Sequence, residues 1–280
     1  MIRLDQWNIT ILYAFGPDAR SQAAKKYEER VRVAVNAIQR THTGRALLGT
    51  FVAAAKNDQA VWIMPYHLDD DYCNARTGAF LSKGLETGRE DFEGVKIQYS
   101  PDHFEVDQCG WYPGMTAEQV LFHEMVHASR DLHDPAYDDT PLDLMDDYEE
   151  FLAVLITNMF RSELGAKKFH RDYVYKLLVE QREAEVYLSS KRQYIDALGS
   201  LLDDQLVTAV TKVNTAYNPF RDFARLQADY SSIMEFMNDL PFMQQREVDR
   251  LKAIGKKLTE LREMSINSSS AAIQQPGNHR

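Results

Sequence analysis

The chain has 280 residues, enough for one large domain or two modest ones, and a chain of that length buries a core without disulfide staples. Hydrophobic residues make up 44% and charged residues 26%, ordinary globular usage that excludes wholesale disorder. Acids outnumber bases 42 to 32, and the net charge of −10 argues against a general nucleic-acid binder or a protein held on anionic lipid by a basic face.

Residues 7–15 read as a short strand in which Ile9, Ile11 and Tyr13 alternate with polar or smaller residues. Gly16-Pro17-Asp18 breaks it, and Tyr27, Val31, Val35 and Ile38 recur at helical spacing over 18–39. Thr43-Gly44 stops that run before a second short helix through Leu47, Leu48, Phe51 and Val52. Residues 60–64 form a compact apolar strand ended by Pro65, and residues 95–99 another. Between them, residues 69–94 are polar and turn-rich, a connection or hairpin excursion with no assigned structure. After Thr116 the spacing predicts helices over 116–130, 143–164, 168–197, 199–216, 219–238 and 242–263. Pro219 and Pro241 fall at or near the starts of the last two, where proline is tolerated. The expected fold is α+β: two helices beside a sheet of about three strands, then a mainly helical C-terminal region. The expected divisions are 1–180, 181–264, and a disordered tail at 265–280.

No apolar stretch approaches the roughly 20 residues that span a bilayer. The N-terminus lacks the basic and apolar regions of a signal peptide. Cys73 and Cys109 are the two cysteines and read as free thiols in a reducing compartment. A soluble protein folded in a cytoplasm is expected.

His123-Glu124-Met125-Val126-His127 matches H-E-x-x-H. Residues four apart lie on one helix face, so both imidazoles can address one Zn²⁺ while Glu124 holds and deprotonates a water. Thr116-Ala117-Glu118-Gln119 has the form of a capping box, which starts a helix just before the motif. A catalytic site needs a third protein ligand and an open position. His133 has the metzincin spacing, but Arg130 stands where that pattern needs glycine to turn the helix, so His133 reads as an ordinary polar side chain. Glu149 and Glu150 open the next helix, and Ala153 lets it approach closely. Adjacent helical residues point about 100° apart, so one of the two acids at most is expected to ligate. Cys109 reads as a packed thiol rather than a zinc switch.

The run His123 to Arg130, followed by Glu149-Glu150-Phe151-Leu152-Ala153, resembles the gluzincin-type zinc metallopeptidases. The closest likeness is to bacterial effector metalloproteases that secretion machines, type III-like among them, deliver into target cells. It covers about residues 40–165. It implies a zincin-like domain with Zn²⁺ held by His123, His127 and Glu150, with Glu124 as general base. A further donor would stabilise the oxyanion: Tyr173 first, with Tyr175, Arg171 and Tyr148 as competitors. Asp146, Asp147 and Glu149 compete to orient the imidazoles. The implied activity is endopeptidase cleavage of a protein substrate in a recipient cell, with no nucleic acid or membrane as partner. A delivery chaperone is a further expected partner, and the protein is expected to leave the bacterial cytoplasm without a classical signal peptide. The alternative is a zinc-binding helical interaction protein whose metal site is structural or degenerate. Nine acids and no Lys or Arg lie from Asp131 to Glu150, which suggests basic residues in the substrate.

Overall fold

Three strands run parallel at the centre of a five-stranded sheet: β2 (Ile9–Ile11), β3 (Ala60–Met64) and β5 (Glu90–Gln98). The register places Ile9 beside Val61 and Val61 beside Val95, then Ile11 beside Ile63 and Ile63 beside Ile97, so two rows of buried branched side chains cross the sheet. β1 (Ile2–Leu4) pairs antiparallel with β2 at one edge, and β4 (Arg76–Lys83) pairs antiparallel with β5 at the other. Gly94 has φ 142°, and a Cβ there would run into Ala60, so glycine permits β5 to lie beside β3. The computed structural model describes residues 1–14, 20–57, 59–66, 75–83, 90–105, 115–133, 140–174, 177–237 and 246.

The crossover from β2 to β3 carries α1 (Gln22–Gln39), capped by Ser21, and α2 (His42–Ala54), capped by Thr41. Gly44 packs under the Ile38 carbonyl, and its N–H donates to the Thr41 cap, so the second helix starts earlier than its apolar residues suggest. The short α3 (Pro101–Glu105) follows β5. Then come α4 (Ala117–His133) and α5 (Tyr148–Glu163), which lie against one another. Phe122 of α4 stacks on Phe160 of α5 with ring centroids 4.3 Å apart, and both are buried. Burying a side chain of that size contributes about 1.5–3 kcal/mol. α4 also packs on α1, α2, β4 and β5, which puts the H-E-x-x-H segment between sheet and helices.

The fold class agrees with the α+β expectation, with differences in detail. The sheet has five strands rather than about three, because Ile2–Leu4 adds β1 at one edge and the polar stretch 69–94 contains β4 at the other, with the start of β5. A single helix over 168–197 is not formed. Instead β6 (Lys168–His170) and β7 (Leu178–Glu180) make an antiparallel hairpin, followed by α6 (Gln181–Ser189) and α7 (Arg192–Ser200). Gly165 at φ 81° ends α5, and Asn158 of α5 binds the His170 backbone both ways, its amide donating at 2.7 Å and its oxygen accepting at 2.8 Å. α8 (Gln205–Thr211) is shorter than the run 199–216, and residues 223–237 are helical. The expected tail at 265–280, most of the helix at 242–263, Tyr175 and both cysteines lie outside the described residues.

Residues 1–229 form one compact unit and residues from Tyr230 onward a second, helical over 230–237. Among the described residues, no helix is long and apolar enough to cross a membrane.

Candidate metal centre

The start of α4 is held by the reciprocal cap the sequence suggests: Gln119 N–H donates to Thr116 Oγ1 at 3.4 Å, and Thr116 N–H donates to Gln119 Oε1 at 3.3 Å. Two turns on, His123 is 3% exposed, and its Nε2 lies 3.3 Å from His127 Nε2. The two rings are nearly perpendicular, at 78°. On α5 the Asp147 cap accepts the Glu150 N–H at 2.8 Å, which fixes Glu150 in the first turn. Glu150 then reaches both imidazoles, Oε2 at 3.2 Å from His123 Nε2 and Oε1 at 3.4 Å from His127 Nε2. The three residues offer donors within 4.8 Å of one another.

These spacings test whether the set suits a cation. A tetrahedral ion with bonds of about 2.0–2.1 Å has donor–donor edges of about 3.3–3.4 Å. The two imidazole nitrogens stand one such edge apart, at 3.3 Å, and the two Glu150 oxygens face them from 3.2 and 3.4 Å, one oxygen to each histidine. Glu150 Oε2 is buried, and its close approach to His123 is aligned too poorly to be a hydrogen bond. Two imidazoles and a carboxylate with donors this close, and a buried carboxylate oxygen among them, are a set that can hold a metal ion.

In the metal-free protein the same crowding polarises the group. Burial lowers the His127 pKa, but the Glu150 carboxylate beside it and the charges of Glu124 and Glu149 together outweigh burial and bring it up to about 9. Burial raises the Glu150 carboxyl, and the His127 charge with the two histidine contacts more than reverses that, holding it well below the usual carboxylate range. Glu124 is 4% exposed, and burial raises its pKa against the pull of His127 and His123. Such a carboxylate is a stronger base than one in water.

Thr77 on β4 is the residue that sequence reasoning missed. Its hydroxyl lies 2.9 Å from the Glu124 backbone oxygen and 2.9 Å from Glu124 Oε2 and donates to them, so the sheet edge fixes the Glu124 carboxyl. Nothing in the polar run around it singles Thr77 out, because its role depends on β4 folding back along β5 beside α4.

The competing acid, Glu149, is buried and turned to Arg130, whose guanidinium grips it from 2.9 to 3.3 Å. His133 sits on the last turn of an uninterrupted α4, and its Nδ1 lies 2.9 Å from the Ser129 carbonyl of its own helix. It lies outside the His123, His127 and Glu150 group. Asp147 serves as the helix cap, preceded by a tight turn in which Asp147 N–H donates to Met145 O at 3.0 Å around Asp146 at φ 69°, ψ −74°.

Tyr173 lies in the β6–β7 connection rather than on a helix, its backbone N–H donating to Leu144 O at 3.0 Å. With His123, Val154, Thr157 and Met115 it lines a cavity of about 320 Å³, open mouth included. Burial raises its phenol pKa, and the charges of Glu150, Glu124, Asp146 and Asp147 raise it further, so the hydroxyl stays a donor. Arg171 is turned aside: its guanidinium meets Asp172 at 3.2 Å and lies over the Tyr187 ring.

A family model, Peptidase_M91, described as effector protein, matches residues 17–168, just over half of the 280 residues. No curated protein and no solved structure matches the chain.

Proposed function

The chain belongs to the Peptidase_M91 family of effector proteins, and from that premise we propose that it is a zinc endopeptidase of gluzincin type that cuts a protein of a recipient cell. The supporting observation is the convergence of His123 and His127, their Nε2 atoms 3.3 Å apart, on the Glu150 carboxylate, beside the buried carboxylate of Glu124. Zinc, when held by those three residues, supplies polarisation of the scissile carbonyl and a more acidic water. Glu124 accepts the proton of the attacking water and passes it to the departing amine. Its raised pKa makes it a competent acceptor, and Thr77 keeps its carboxylate aimed. Tyr173, protonated across the working pH range, donates to the carbonyl oxygen as negative charge develops there. A zincin-like catalytic fold, delivery without a classical signal peptide and a delivery chaperone belong to the same reading.

The test is cleavage of recipient-cell lysate proteins by the parent and by Glu124→Gln, with bound zinc measured in both. The variant keeps zinc and loses about 10²–10⁴-fold in rate, the usual worth of a general base. Parent-like cleavage by Glu124→Gln sinks the peptidase reading and leaves the metal site a structural one.

A further inference from the structure

Two carboxylates open α5 side by side, and one cation cannot use both without distorting the helix turn. Arg130, three residues after His127 on α4, decides between them. Its Nε lies 3.2 and 3.3 Å from the two Glu149 oxygens and its Nη2 2.9 Å from Oε1, a forked grip on one carboxylate. The side chains are 14% and 4% exposed, so each charge is out of water and needs the other. Nη1 of the same arginine pairs with Asp204, whose Oδ1 accepts the Val207 N–H at 2.9 Å and caps α8.

We propose that Arg130 is a positioning residue that selects the metal ligand: by sequestering Glu149 it leaves Glu150 as the α5 carboxylate facing His123 and His127. This inference rests on the zinc reading above. It also assigns a purpose to the C-terminal helices, since the arginine that sorts the two acids is anchored on α8, outside the matched residues 17–168. A guanidinium is needed because its planar fork satisfies two carboxylates at once, which a lysine ammonium does not do with the same geometry.

The experiment uses the full chain, stripped of metal, with Zn²⁺ and Co²⁺ as probes. Zinc affinity is measured by competition with a chromophoric chelator, and the cobalt electronic spectrum reports the donor set. Arg130→Met, which frees Glu149, weakens zinc about 10–100-fold, the usual effect of losing a group that supports a ligand. It also alters the cobalt spectrum. Arg130→Met combined with Glu149→Met removes the competing carboxylate and returns both readouts toward the parent. Glu149→Gln, which keeps an acceptor for Arg130 without the charge, matches the parent throughout. An unchanged spectrum in Arg130→Met overturns the proposal. So does equal loss in the single and double variants, or equal failure of both to fold, because Arg130 is then simply structural. Absence of zinc binding by the parent, with His123→Ala no different, instead refutes the zinc reading itself.

Discussion

Replacing Thr77 by Val removes one hydroxyl and little volume, and it tests whether the sheet edge tunes the base. The hydroxyl stands 2.9 Å from both the Glu124 carboxylate and its backbone carbonyl, so its single proton is shared between them. A hydrogen bond to a charged group contributes about 1.5–3 kcal/mol, and sharing the proton brings the expected worth to the lower end, about 1.5 kcal/mol. That energy favours the ionised form of Glu124, because a carboxylate accepts the bond more strongly than a neutral acid. At about 1.36 kcal/mol per pKa unit, its loss raises the Glu124 pKa by about one unit. In the proposed mechanism Glu124 is the base and must be deprotonated, so the acid limb of the kcat/KM profile moves to higher pH by about that amount. The assay is cleavage of a substrate peptide across pH 4–9 at saturating zinc, with occupancy checked at each pH. An acid limb that stays in place while zinc content is unchanged refutes the claim that Thr77 acts on the base.

Two further outcomes follow from the donor set. Glu150→Ala loses bound zinc while His133→Ala keeps it, because His133 bonds its own helix and stands apart from the other donors; zinc analysis of the purified variants decides this. The metal-free protein loses stability as pH rises from about 6.5 toward 9: the folded His127 pKa of about 9 lies above its unfolded value near 6.5, so this contribution is complete below 6.5 and gone above 9. Zinc removes that dependence by requiring neutral imidazoles, so thermal melts with chelator fall across this window more than melts with zinc, and parallel curves contradict the pairing.

What was legible in the sequence was local. The H-E-x-x-H spacing and the Thr116/Gln119 cap each lie within one or two turns of α4, so residue type and period suffice to read them. The β6–β7 hairpin was not legible, because Phe169, Tyr173 and Leu177 also fit a helical stripe. The competing terms are non-local: the Gly165 stop and the two hydrogen bonds from Asn158 to the His170 backbone. Thr77 was invisible for the same reason, since its partner is 47 residues away. The choice between Glu149 and Glu150 lay between the two cases. Adjacency showed that only one could ligate and the resemblance favoured Glu150, but the grip that turns Glu149 aside comes from Arg130, a residue noticed only for not being a glycine.

The acidic stretch from Asp131 to Glu150 shows how far composition carries such an argument. Nine acids without a base look like a solvated rim that attracts basic substrate. Four of them have internal partners instead: Asp143 pairs with Lys191, Asp147 caps α5, Glu149 is neutralised by Arg130, and Glu150 meets the two histidines. Asp131 is partly buried, and its pKa is raised, chiefly by that burial. Charges compensated or desolvated in this way project little field beyond about a Debye length, roughly 8 Å at physiological salt. Three of the nine acids are therefore engaged around the proposed site, Glu150 facing the histidines and Asp147 and Glu149 fixed on the same helix, while Asp134, Asp138 and Asp139 lie outside the described residues. Selectivity for a substrate is better sought in the walls around His123 and Tyr173 than in the net charge of −10.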